Sequence, residues 1–102
     1  MEVWIGMVEV RPLPGNTILG DGKGAFVNAF AFVSNTQEYK EAVKAALEEA
    51  LLLAIDFQDI EPFSERTARQ DLSEQFQELA GWTKLTGEVA LDDFHVYKNF
   101  DG

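Results

Sequence analysis

There is no cysteine in this chain of 102 residues, so disulfides, thiolate metal sites and cysteine nucleophiles are excluded at the outset. Histidine occurs once, at position 95, and one imidazole without a thiol is a poor basis for a tight zinc site. Long apolar runs are missing too. The longest unbroken one, Ala50 to Ile55, falls far short of the ~20 residues needed to span a bilayer. The opening stretch MEVWIGMVEV carries an acid at position 2 and no basic segment, so it does not read as a signal peptide. The expectation is a cytoplasmic protein that makes no membrane contact, and the missing cysteine fits a reducing compartment.

Basic residues are scarce. Eight Lys and Arg stand against eighteen Asp and Glu, a formal charge of −10. The imbalance sits in the second part of the chain: residues 1–36 carry a net −1 and residues 37–102 a net −9. Between Ala45 and Glu65 there are six acids and no base. Such a field repels phosphate backbones and anionic lipids, which are held by Lys and Arg, so direct nucleic-acid binding is not expected. An acidic surface keeps a protein soluble, and it also complements a basic partner.

What is present suffices for one core. With 46% apolar residues, 12% of the chain aromatic, residues 1–102 read as a single domain. Glu2 to Val10 alternates as a strand, ended by Pro12, Pro14 and Gly15. Ala25 to Val33 is a second, with Ala25, Val27, Ala29, Ala31 and Val33 on one face and Phe26, Asn28, Phe30 and Phe32 on the other. Both faces are apolar, which predicts cover on both sides.

Asn35 followed by Glu38 is a capping box. It opens a helix whose apolar stripe is Tyr39, Ala42, Val43, Ala46, Leu47, Ala50 and Leu51. A third strand follows, in which Leu53, Ile55 and Phe57 alternate with Ala54, Asp56 and Gln58 up to Pro62. Ser64 or Thr67 caps a second helix, with Leu72, Phe76, Leu79 and Ala80 buried, ending at Gly81 or at Gly87. The segment DDFHVYKNF reads as a last strand, with Val89 to Leu91 its start or a linker. The order β-β-α-β-α-β predicts an α+β two-layer sandwich, a mixed sheet of about four strands with two helices on one face. If the alanines of the second strand meet the helices, Phe26, Phe30 and Phe32 point away and call for a second copy of the chain; the reverse assignment makes them the core face.

The stretch NTILGDGKGAF between the first two strands invites comparison with phosphate-binding loops. It fails both templates. Counted from Gly15, Asp21 takes the lysine position of a P-loop, and Gly20, Gly22 and Gly24 open a strand where the dinucleotide fingerprint opens a helix. Residues 12–24 therefore read as a flexible Gly- and Pro-rich hairpin connection.

No catalytic set emerges. Ser34, Ser64 and Ser73 lie in cap or helix positions without a nucleophile elbow. The acids Asp56, Asp59, Glu61 and Glu65 lack the spacing of a calcium loop, so neither metal nor cofactor is expected. Those four carboxylates, with Trp82 as an aromatic anchor, are the candidate partner-binding residues. The function expected is that of a small acidic, non-enzymatic interaction module: a homodimer of inhibitor or immunity type that binds a basic protein such as a nuclease. The alternative is a small enzyme or ligand-binding domain using a groove between sheet and helices, with His95, Asp92, Asp93 and Glu61 as its polar groups.

Overall fold

A computed structural model describes residues 1–98; Asn99 and Phe100 of the expected last strand lie outside the described residues. The chain folds as an α+β domain in the order β1 (Glu2–Pro12), β2 (Gly24–Val33), α1 (Thr36–Glu49), β3 (Leu52–Pro62), α2 (Phe63–Arg69), α3 (Glu74–Thr86), β4 (Ala90–Leu91) and β5 (His95–Tyr97). The five strands form one sheet in the order β3-β1-β2-β4, with β5 also paired to β2. Every pairing is antiparallel.

The register of β1 against β2, from Glu2 opposite Val33 to Val10 opposite Ala25, sorts the side chains onto two faces. Trp4, Gly6, Val8 and Val10 share the first face with Ala25, Val27, Ala29, Ala31 and Val33, and α1 buries Tyr39, Val43 and Leu47 against it. The small side chains there admit the helix closely enough for the Tyr39 hydroxyl to donate to the Ala29 carbonyl at 2.8 Å. Burial pushes that phenol well above its ordinary pKa, with the Arg66 charge opposing in part.

The second face is also covered. Ile5 and Phe30 pack under Phe63, Phe76, Leu79 and Ala80 of α2 and α3. The Phe30 ring meets Phe76 edge-on at 5.4 Å and Phe63 at 6.0 Å, and it is wholly buried. Burying such a ring contributes about 1.5–3 kcal/mol. The helices thus divide between the two faces because β2 is apolar on both. Phe30 is core, while Phe26 and Phe32 are half-buried. Of the three phenylalanines, Phe30 is covered by α2 and α3, Phe26 stands beside the ring of Tyr97 at 5.8 Å, and Phe32 lines a hollow between α2 and α3.

Local signals explain the element ends. Asn35 Oδ1 accepts from the Glu38 amide at 2.9 Å, and Glu38 Oε1 accepts in turn from the Ser34 amide at 3.0 Å. The expected second helix is two. Gln70 is extended, and Ser73 starts α3 by accepting from the Phe76 amide at 3.2 Å. Gly81 lies inside α3, which ends at Gly87 in the left-handed region. In β3 the simple alternation fails. Bulges between the partners of Ile5 and Met7 and of Glu9 and Val10 shift its register, so Leu52, Ala54, Phe57 and Ile60 all pack on the first-face core. Asp59, at φ 55°, sits within the first of these bulges.

The connection between β1 and β2 is tied down along its length. Leu13 and Asn16 bond to the Leu51 and Ala50 carbonyls beyond α1, Leu19 is buried, and the Lys23 amide donates to the Tyr97 carbonyl at 2.8 Å. Gly22 and Gly24 have a steric role: side chains there would run into Val96 and Tyr97 of β5.

Candidate interaction surface

The four acids expected to form one patch are treated differently by the fold. Asp56 is exposed on β3 and accepts from Gln58 Nε2 at 2.9 Å. Glu65 is exposed in the first turn of α2. Glu61 faces inward along the chain: its carboxylate receives Arg66 Nε at 2.6 Å and both terminal nitrogens of Arg69. Hydrogen bonds from Arg69 and Arg66, with their charges, hold its pKa down to about 2. Arg66, itself buried, also donates to the Asp59 carbonyl at 2.9 Å. Glu61 is therefore a clasp between β3 and α2. The signal was present in the sequence, since Arg66 and Arg69 are the first bases after the acidic stretch.

Trp82 lies on the other side of the molecule. β3 and β4 are opposite ends of the strand order, so β1 and β2 separate Trp82, beside β4, from Asp56 and Asp59 on β3. It is 44% exposed and forms a wall common to two hollows. The first, about 600 Å³, lies against α3 and is lined by Gln75, Glu78, Leu79 and Val89 to Leu91. The second, about 430 Å³, reaches α1 through Ala45, Ala46 and Glu49 and is closed by Glu88, Val89 and Leu91. Both have apolar floors. Glu49, Glu78 and Glu88 form no ion pair among the described residues. Glu78 lies one helical turn before Trp82 on α3, whereas Glu49 and Glu88 reach this place only through the tertiary fold.

Thr83 holds this corner together. Its buried hydroxyl donates to the Glu88 carbonyl at 2.8 Å, and the Gly87 amide closes α3 on the Thr83 carbonyl at 2.8 Å. Trp82 and Glu88 are thereby fixed in relation to each other by backbone.

Of the polar groups named for an enzymatic site, Glu61 lies on the opposite edge of the sheet from His95, Asp92 and Asp93. His95 is exposed on β5 opposite Phe26, on the far side of β2 from β1, whereas Glu61 is opposite Ile5 on β3. Asp92 lies between β4 and β5, where its amide donates to the Asn28 carbonyl at 2.9 Å and its carboxylate accepts from Gln75 Nε2. Asp93 is exposed. A third hollow, about 650 Å³ between α2, α3 and the start of β1, has an apolar floor of Val3, Phe32, Phe63 and Ala80. Ser64 on its rim donates to Glu2 at 3.3 Å, with no imidazole lining the hollow. Among the described residues no three His, Cys, Asp or Glu side chains converge as metal ligands, and no helix is long and apolar enough to cross a membrane.

No family model matches the chain, and neither a curated protein nor a solved structure does. The functional reading therefore rests on these surfaces alone.

Proposed function

We propose that this chain is a non-enzymatic interaction module whose partner is a basic protein, docked at Trp82. One observation carries the reading: an exposed tryptophan stands between two hollows with apolar floors whose rims carry Glu49, Glu78 and Glu88, which form no ion pair among the described residues. An aromatic anchor beside apolar pockets is where binding energy concentrates, and unpaired carboxylates add attraction for Lys and Arg. Asp56, Asp59 and Glu65 on the β3 side strengthen the overall negative field and its steering of a basic partner, without a comparable anchor beside them. An inhibitor of a basic protein is one form this role takes.

The test uses the intact protein and its Trp82→Ala variant as paired baits, at low and high salt. A basic protein retained by the native bait at low salt, and lost both at high salt and with Trp82→Ala, supports the proposal. Retention indifferent to salt and to Trp82 sinks it.

A further inference from the structure

We infer that the free edge of β4 accepts an extended basic segment of the partner as an added strand; the inference rests on the docking role proposed for Trp82. Leu91 is opposite Ala29 and Ala90 opposite Phe30, while the Asp92 amide donates to the Asn28 carbonyl at 2.9 Å. Bonded and non-bonded pairs alternate along an antiparallel ladder. Asp92 and Ala90 therefore occupy the bonded positions, and Leu91 turns its N–H and C=O away from β2. Among the described residues no strand lies beyond β4.

The two hollows flank this edge, one on the α3 side of the sheet and one on the α1 side. A strand laid along β4 sends successive side chains to opposite faces, and so alternately into the two hollows. Each hollow asks for the same chemistry. Its floor is apolar, with Glu78 on the rim of one and Glu49 and Glu88 on the rim of the other. Lys and Arg satisfy both demands, because their stems cover apolar surface while their charged ends reach the carboxylates. The exposed ring of Trp82 adds a face on which a cation can rest.

Charge decides between this occupant and a second copy of the chain. Pairing β4 with itself would bring Glu49, Glu78 and Glu88 of one copy toward the same groups of another, in a chain that already carries −10. The β3 edge is longer, but its two bulges interrupt pairing. None of the three hollows described above borders it.

The probe is a displayed library of random dodecapeptides selected against the intact protein at low salt, with the recovered peptides then synthesised. Recovered sequences should be rich in Lys and Arg, and Trp82→Ala should weaken them about tenfold or more. N-methylation of one alternate set of peptide amides should abolish binding while methylation of the other set is tolerated, and exchange of the Leu91 amide should slow in the complex. Basic peptides that need Trp82, yet bind equally with either amide set methylated and leave Leu91 exchange unchanged, overturn strand addition while the docking role stands. Peptides without basic residues, peptides indifferent to Trp82→Ala, or a selection that recovers nothing overturn both. A dimer in sedimentation that Trp82→Glu dissolves overturns the inference in favour of a second copy.

Discussion

The hydroxyl of Tyr39 lies 2.8 Å from the point where a side chain on Gly6 would begin. That hydroxyl is engaged with the Ala29 carbonyl, and Ile60 closes the same space at 3.1 Å. Gly6→Ala should therefore destabilise the fold by about 1–3 kcal/mol, as overpacking does. Tyr39→Phe, which removes only the hydroxyl, should cost about 1 kcal/mol. In the Tyr39→Phe background the alanine should be better tolerated, and denaturation midpoints of the two single variants and the double variant give the coupling.

A second prediction concerns the glycines that face β5. A side chain on Gly24 would meet not only the Tyr97 ring but also the Val10 carbonyl at 2.8 Å, which cannot swing aside. Gly24→Ala should dislodge β5, so the Lys23 amide, bonded to the Tyr97 carbonyl, should exchange faster than in the native protein. Gly20, around which such a side chain would meet nothing, is at φ 59° and should show a purely conformational cost of about 1 kcal/mol on Gly20→Ala. Unchanged Lys23 exchange in Gly24→Ala would contradict the steric account.

Acid stability should depend on Glu61. Its folded pKa is about 2 against an ordinary 4.5, so its contribution is fully present above 4.5 and disappears as pH falls toward 2. Glu61→Gln removes that contribution and leaves buried Arg66 a weaker acceptor. The difference in urea midpoint between native and Glu61→Gln protein should be widest at neutral pH and shrink as pH falls through this window. A difference that grows on acidification would be the wrong sign.

Leu51 ends the first helical segment at φ 58°, a conformation unfavourable for a side chain of its kind. Leu51→Val, which stiffens the side chain further, should lose about 1 kcal/mol, whereas Leu51→Asn should leave thermal stability level or raise it. Equal effects of the two substitutions would show that side-chain burial, and not backbone strain, governs the position.

Much of the fold is legible in the chain because local chemistry and tertiary packing agree. The Asn35–Glu38 capping box and the 3.6-residue stripe of Tyr39, Val43 and Leu47 name α1 unambiguously, and the two apolar faces of β2 foretell cover on both sides. Two things hide. Bulges in β3 break the period of two, so Phe57 and Ile60 share a face although three residues separate them. Helix breaks made by one serine cap are weak signals beside a continuous apolar pattern, which is why α2 and α3 read as one. Of the interaction surface, Trp82 is legible as an isolated aromatic after a glycine. Its neighbours Glu49 and Val89 are not, because four elements of chain must fold before they meet. The acids of β3 mislead for a related reason: a carboxylate's freedom depends on Arg66 and Arg69 folding back across it.

The same side of β2 serves two short strands from far along the chain, β4 near Ala29 and β5 near Gly24. While the protein is being made, β1, α1 and β3 can all dock before that side receives any partner. For the time it takes to translate some sixty residues after Phe30, a long apolar strand presents bare amides and carbonyls. The far side of β2 thus receives its hydrogen-bonding partners only after Ala90 to Tyr97 have been made.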